Sequence, residues 1–461
     1  MFADMLKKNQ IVRLAITDLT HEGSGVGHID GQAVFVPRTA PGDQADIKIV
    51  QVRNSYAYGI VEQLVTPSSD RVENDCPVFS RCGGCALRHL SYEAELAAKE
   101  EWVKSNMRRI GKIDLEWEPI LLSPQMDRYR NKAQYPIRMV NGRVQAGFFA
   151  PRSHRLIPVE DCKLQPLYFA DICREVCAFA EEKKIPPYDE ETGSGLLRHL
   201  FLRWAETTRQ TLVCLVLNGN TLPYAQELSE RLKALCPGEM TLCFSVNTRR
   251  DNVILGDSIQ VVTGSGRIVD KLGGVELSLS PFSFYQVNRN AAELLYGVAR
   301  EYAGLAETTP KLILDLYCGA GAIGLSMASG AEKVIGVESV AAAVEDAKAN
   351  AARNGIRNAE FMCADAADAA AHLQQQGIQP DVVVVDPPRK GVAESALKDI
   401  VAMNPKCIVY VSCNSATLAR DCRILVDCGY QAVRGRAVDL FPRTTHVECI
   451  VLIKRAESRM K

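Results

Sequence analysis

The sequence predicts a multidomain α/β protein: a small N-terminal β-barrel, a central α+β region, and a C-terminal parallel sheet covered by helices on both faces. Three observations predict it. Residues 10–65 are short alternating apolar runs split by Gly, Pro and Asp turns. A cysteine cluster at 76–85 opens a long stretch of mostly short strand patterns. From about residue 285, brief and nearly all-apolar runs alternate with helical or loop segments: KLILDL, KVIGVE, AEFMCAD, DVVVVD and CIVYVS. Strands of that kind are buried on both faces, which requires helices above and below a parallel sheet. The expected boundaries are 1–66, 67–280 and 281–461.

The bulk numbers agree with two or three domains. The 461 residues are 47% apolar and 24% charged, enough to build several cores. A formal net charge of −1 excludes a globally basic nucleic-acid binder, so any basic surface is local. The opening MFADMLKKNQIV lacks a secretory pattern and no apolar run has transmembrane length, so a cytoplasmic protein without a membrane partner is expected. Thiols stay reduced there, and the 16 cysteines need explanations other than disulfides. Most are small buried hydrophobes; a few are candidates for metal binding or catalysis. A monomer is the working expectation.

In the barrel, the glycines of Gly23-Ser24-Gly25-Val26-Gly27 are followed by strand residues rather than a helix, which predicts a hairpin and not a phosphate loop. TPSSDRVEND, 66–75, reads as a linker. The spacing predicts a helix over 91–110, capped by Ser91 and stopped at Gly111, that can pack on the C-terminal domain. Further helices are expected near 168–184 and 222–235.

CPVFSRCGGC gives C-x5-C-x2-C through Cys76, Cys82 and Cys85. Three thiols in so short a stretch, with two glycines easing the turn, can wrap a metal centre. Cys162, polar-flanked in EDCKL, is the best fourth ligand, whereas Cys173 and Cys177 fall i, i+4 on a helical pattern and read as core. On softness alone, an all-thiolate set suits zinc or an iron–sulfur cluster equally.

After LILDL, glycines 319, 321 and 324 form G-x-G-x-x-G between a strand and a helix. The first two let backbone approach a ligand and the third lets helix pack on strand. Glu338 ends the next strand, where an acid can accept from both ribose hydroxyls, and Asp365 ends the following one, where it can reach an adenine or simply close a loop. This fits NAD or S-adenosylmethionine. Asp386-Pro387-Pro388-Arg389 narrows the choice: a rigid turn at a strand's carboxyl end is where a substrate base can be gripped. Enzymes that methylate exocyclic amines place an aromatic after Pro-Pro, and Arg389 stands there instead.

Cys413 follows the CIVYVS strand and so shares the carboxyl edge with Asp386 and Glu338. Glu448 stands inside the late strand TTHVECIVLI, where an acid marks either an edge strand or a functional carboxylate. A thiolate, a carboxylate and a sulfonium methyl donor together suit carbon 5 of a pyrimidine. Thiolate addition to C6 makes C5 nucleophilic, C5 takes the methyl group, and a base removes the C5 hydrogen so that the thiolate can leave.

DLYCGAGAIGL, VVVVDPPRKG, VYVSCNSATLARD, TTHVECIVL and FSFYQVN together resemble the RNA (uracil-C5) methyltransferases, in particular the ribosomal-RNA branch that makes 5-methyluridine in 23S rRNA; the likeness spans essentially the whole chain. The resemblance implies a TRAM domain, an OB-like RNA-binding module, for the barrel, an iron–sulfur and RNA-recognition domain in the centre, and a Rossmann-like class I methyltransferase at the C-terminus. It implies Cys413 as nucleophile and Glu448 as base, with S-adenosylmethionine contacts from Gln286, Tyr317, Glu338 and Asp386. It also implies a [4Fe–4S] cluster on Cys76, Cys82, Cys85 and Cys162. Ala322 and Ser415 depart from common family residues. RNA cytosine-C5 enzymes, the nearest rival, resemble a two-cysteine design with one Cys in the Pro-containing motif, and this motif has none.

Residues 128–155 carry seven Lys/Arg and no Asp/Glu, interleaved with Tyr129, Tyr135, Phe148 and Phe149. The expectation is a basic strand surface that grips phosphates and stacks unpaired bases; the alternative is that the aromatics are core. Two other functions stay open. One is tRNA uridine methylation, against which the tRNA branch typically lacks the barrel and the cysteine cluster. The other is a catalytically silent RNA-binding or assembly factor.

Overall fold

A computed structural model describes residues 6–456. Its layers are three main sheets. The first is a curled six-stranded sheet built from residues 11–66, closed around a small core of Leu14, Val34, Val36, Ile47, Ile49 and Ala57. Ser24–Ile29 and Gln32–Pro37 form a tight antiparallel hairpin, as the glycine-rich stretch predicts. The polar segment that follows is not a free tether. Arg71 donates at 2.7 Å to both carboxylate oxygens of the buried Asp43, and pins the chain to the barrel.

The helix Tyr92–Asn106 begins where Ser91 accepts a hydrogen bond from Ala94 N at 3.2 Å. It continues as a π turn, Met107–Gly111, and stops at Lys112, which takes the left-handed conformation (φ 52°). The stop is therefore one residue beyond Gly111, the position expected. The helix packs on the C-terminal layer, where Asn106 Nδ2 donates to Ser415 Oγ at 2.8 Å.

The central sheet has seven strands running from Leu156–Pro158 at one edge to Ile259–Thr263 at the other. Helices Tyr168–Glu182 and Ala225–Lys233 cover one face through Phe169, Ile172, Val176, Phe179, Leu228 and Leu232. Cys173 belongs to this core and Cys177 packs against it. On the opposite face Phe201, Leu212 and Cys214 join a core shared with Ile313, Val384 and Val409 of the C-terminal sheet. The central and C-terminal layers are thus fused through a common apolar interior.

The C-terminal sheet has eight strands in the order Ala359–Cys363, Lys333–Glu338, Leu312–Leu316, Val382–Val385, Cys407–Ser412, Glu448–Arg455, Tyr430–Val438, Glu116–Leu121. The first five are parallel and Glu448–Arg455 inserts antiparallel. Alternation splits the run Val382–Val385: Val382 and Val384 face one helical layer, Val383 and Val385 the other. The last edge strand, Glu116–Leu121, lies outside the region 281–461 in which this sheet is expected. Among the described residues, no helix is long and apolar enough to cross a membrane.

Candidate active site

The carboxyl ends of the parallel strands converge on one crevice, the usual ligand position in an open α/β sheet. Leu316 pairs with Val385 and Val385 with Tyr410, so Tyr317 and Asp386 leave the sheet side by side. Ser412 pairs with Cys449 on the antiparallel strand. Cys413 and Glu448, one step further along each strand, therefore meet at the same edge. Glu448 is only 4% exposed and sits between two strands, which removes the edge-strand explanation for an acid at this position.

On the cofactor side, Gly319 N donates to Glu338 Oε2 at 3.2 Å, and Glu338 Oε1 accepts from Val340 N at 2.8 Å. The loop and the strand-end acid form one cradle. A Cβ added at Gly319 (φ 55°) would meet nothing within 4 Å, so the crest of the loop is open space. Gly324 is the opposite case: a Cβ there would meet Asp315 Oδ2 at 2.7 Å, the close helix-to-strand approach expected of the third glycine. These features fit a nucleoside-bearing cofactor. Gln286 is buried, and its carbonyl accepts from Asn131 Nδ2 at 2.9 Å, which ties the FSFYQVN segment to the root of the basic strand. Tyr317 has positive φ (65°). Asp365 caps the helix Ala366–Gln375 by accepting from Ala367 N at 2.9 Å, so one of its oxygens serves the helix.

Acids dominate the reacting edge. Burial pushes Asp386 up to about 7. Burial, then repulsion from Asp386, pushes Glu448 up to about 8, with Arg389 opposing. The half-buried Cys413 thiol is raised by burial and by Glu448, and Arg389 again opposes. Arg389 is thus the cation that favours ionisation of both groups. Its Nη2 lies 3.4 Å from both ring nitrogens of His446. Asn414 holds the Asp386–Arg389 turn: Nδ2 donates to Arg389 O at 3.0 Å, while Oδ1 caps the helix Ser415–Asp427.

The approach to Glu448 is fixed by a buried ionic knot. Lys99 Nζ donates to Glu95 Oε1 and Asp439 Oδ1, each at 2.7 Å, and to Phe441 O at 3.1 Å. Glu95 Oε1 also accepts from Arg443 N at 2.7 Å. All three charged side chains are fully buried. The helix Tyr92–Asn106 thereby shapes the segment 439–447, which carries His446 and leads into Glu448. Sequence reasoning missed Lys99, Arg389 and His446 as site groups. A Lys in the i, i+4 pattern with Glu95 reads as a solvated helical pair, whereas Arg389 and His446 lie within the motifs already singled out.

Cys76, Cys82, Cys85 and Cys162 line one cavity of ≈ 320 Å³, together with Arg130, Lys132 and His446. Among the described residues, however, no three His, Cys, Asp or Glu side chains assemble closely enough to hold a metal ion. Burial pushes Cys85 up to about 12 and Cys162 up to about 11. The basic strand is corrected in part. Tyr129 and Tyr135 are core, at 5% and 3% exposure, and Tyr129 OH donates to Pro442 O, so neither can stack a base. Tyr135 is buried because alternate residues of the strand Lys132–Val140 face the helical layer, whereas Tyr129 precedes that strand and is buried against the segment at Pro442. Phe148 packs on Tyr135 and lines the cysteine cavity, while Phe149, equally half-buried, faces the other side of its strand. Arg128 and Arg138 are paired with Asp161 and Glu190; Arg143, Arg152 and Arg155 are exposed.

Comparison with known proteins supplies the context for this geometry. A family model described as tRNA (uracil-5-)-methyltransferase matches residues 91–456, and a TRAM domain model matches residues 6–61. An uncharacterised RNA methyltransferase of Halalkalibacterium halodurans is 42% identical over 450 residues, covering 97% of this chain and 98% of that one. One from Listeria monocytogenes is 42% identical over 457 residues, covering 98% and 99%. The crystal structure of Pyrococcus abyssi tRNA (uracil-54, C5)-methyltransferase with S-adenosyl-L-homocysteine superposes with a TM-score of 0.76 at 27% identity, covering 96% of this chain and 100% of that one.

Proposed function

The chain belongs to the tRNA (uracil-5-)-methyltransferase family and is a methyltransferase with an N-terminal TRAM domain, and on that premise we propose that it converts a uridine of 23S ribosomal RNA to 5-methyluridine. The observation that carries the reading is the convergence of Cys413 and Glu448 at the edge of the cofactor crevice.

In this reading the uracil ring enters between Cys413 and Asp386. Ionised Cys413 adds to C6, and the electron pair moves to C5. S-adenosylmethionine, when bound, supplies an electrophilic methyl group to that carbon. Gly319, Gly321, Glu338, Tyr317 and Gln286 hold and orient it, with Asp386 between donor and base. Glu448 then takes the C5 hydrogen as a proton, and the Cys413–C6 bond breaks to restore the ring. Arg389 lowers the cost of ionising Cys413 and Glu448 in a buried, acid-rich site. The base must leave any stack to reach Cys413, so an unpaired segment is the target.

Cys76, Cys82, Cys85 and Cys162 would be the ligands of a [4Fe–4S] cluster in this reading, which the four thiols walling one cavity support. Methyl transfer is redox-neutral, so a cluster held by these thiols would tie the segment 76–85 to Cys162 and would take no part in the reaction. Protein purified anaerobically then contains about four iron atoms per chain; stoichiometric zinc without iron overturns the assignment.

The full-length likeness to a tRNA (uracil-54, C5)-methyltransferase favours a second reading, in which the uridine is in tRNA. Tritiated donor incubated separately with 23S rRNA and with bulk tRNA decides between them. Product on ribosomal RNA supports the first reading, product only on tRNA the second, and none on either leaves an RNA-binding factor.

A further inference from the structure

The chemistry above leaves unused a cavity lined by aromatic and charged side chains. It also has a volume of ≈ 320 Å³, and it lies at the far end of the central sheet from the crevice, among Phe149, His154, Glu190, Arg198, His199 and Arg250. Phe149 and His154 stack with centroids 5.3 Å apart and planes 13° apart. Glu190 fixes the imidazole, with Oε2 lying 2.6 Å from Nδ1, while the His154 side chain stays 62% exposed. One aromatic face is thus held in place and open. The back wall is cationic and buried. Arg198 is 4% exposed, lies 4.4 Å over the Tyr188 ring, and donates to Asn247 O and Arg249 O. Arg198 Nε and His199 Nδ1 have no hydrogen-bond partner. Arg250 is exposed at the rim.

The sheet itself connects this cavity to the reacting edge. Lys132, Gln134, Pro136 and Arg138 alternate onto one face of their strand. Lys132 and Gln134 line the cysteine cavity that His446 also lines, and Arg138 pairs with Glu190 at the second cavity. Lys132 and Arg138 are roughly 20 Å apart at ~3.3 Å per residue. Pro136 between them is buried, so the strand fixes the separation of the two cavities, and a few nucleotides of RNA cover that distance.

We propose that this cavity holds one unpaired nucleotide of the same RNA, a few positions from the target uridine, with its base stacked on His154 and its phosphate on Arg250. The proposal rests on the RNA-methylating reading. A stacked aromatic beside guanidinium groups is the recognition chemistry of single-stranded RNA. The carboxylate of Glu190 in the wall disfavours a free phosphate or another small anion, yet it can accept from the exocyclic amine of a base.

The test is filter binding of 23S rRNA and of bulk tRNA to the full chain and to His154→Ala, His154→Phe and Arg250→Ala, read across a salt series. His154→Ala is expected to weaken binding of whichever RNA the protein prefers by about 10-fold, within the range for losing one stacked base. His154→Phe keeps the stacking face and restores most of the affinity. Arg250→Ala weakens binding and lowers the salt slope by about one phosphate contact. Wild-type affinity in all three variants, or a His154→Phe protein as weak as His154→Ala, overturns the subsite. Binding that follows the expected pattern while no RNA is methylated overturns the methylation reading alone. An unmodified chain that binds neither RNA overturns both.

Discussion

Cys413 and Glu448 reach the same point from opposite chain directions: Ser412 and Cys449 are register partners in an antiparallel pair, and each candidate side chain sits one step beyond. Their two jobs, adding to the ring and removing its hydrogen, are therefore separable by mutation. Cys413→Ala is expected to lower methylation by roughly a thousandfold or more and to form no bond with RNA. Glu448→Gln should still add and accept the methyl group but fail to eliminate, so a covalent protein–RNA species accumulates on a denaturing gel. RNA carrying 5-fluorouridine at the target, whose substituent cannot leave as a proton, should trap the unmodified enzyme in the same way. An active Cys413→Ala protein, or no adduct under either condition, removes the covalent route.

The pH profile follows from burial. Glu448 is raised to about 8 and Cys413 is raised above its ordinary value, and both act deprotonated. Single-turnover methylation should therefore rise from pH 6 to pH 8.5, with a log–log slope that exceeds one on the acid side. Arg389 opposes both shifts. Arg389→Ala should move the whole profile to higher pH and cost about tenfold or more in rate at pH 7. A flat profile would show that neither ionisation limits the reaction.

The same burial has a stability consequence of definite sign. Glu448 is raised from 4.5 to about 8 in the folded chain, so folding favours its protonated form. Its contribution is fully present below the unfolded value and is lost as pH rises through the folded one. In the ligand-free protein, Glu448→Gln should match the parent near pH 4.5 and exceed it by about 1–3 kcal/mol at pH 8. Thermal melts at the two pH values check this. A variant that is less stable at pH 8 would mean that the carboxylate has a compensating partner.

The strand-end residues were readable in the sequence because parallel strands are short apolar runs whose last residue is easy to locate. Glu338, Asp386 and Cys413 fall on one edge for that reason. Glu448 was readable as unusual but not as interior, since strand order is not written in a local pattern. Long-range pairing hid the edge strand Glu116–Leu121, whose partner Tyr430–Val438 lies more than 300 residues away in the chain. Tyr135 misled because an aromatic in a basic strand has the same local pattern whether it faces RNA or a helix layer, and Tyr129 because its partner at Pro442 lies more than 300 residues away in the chain. Lys99 misled for a related reason. Its helix carries several other charged residues, Glu100 and Glu101 directly after it among them, and only the fold shows that this lysine meets Asp439 across the core.

That lysine supports the last prediction. Lys99, Glu95 and Asp439 are fully buried, and the lysine is the cation that meets both acids. Lys99→Met keeps most of the side-chain volume but leaves two carboxylates without it in a low-dielectric interior, where losing one member of a buried pair costs about 3–5 kcal/mol. Burial already raises Glu95, which is then expected to take up a proton, so the loss is largest at high pH and shrinks as pH falls. Replacing all three (Glu95→Gln, Lys99→Met, Asp439→Asn) removes the unpaired charge and should recover much of the stability. If the knot only stabilises, the triple variant should also recover methylation. If it also holds the segment 439–447, through Lys99 to Phe441 O and Glu95 to Arg443 N, the triple variant should fold well yet methylate slowly. The hydrogen bonds to that backbone favour the second result, and urea melts run beside single-turnover rates distinguish the two.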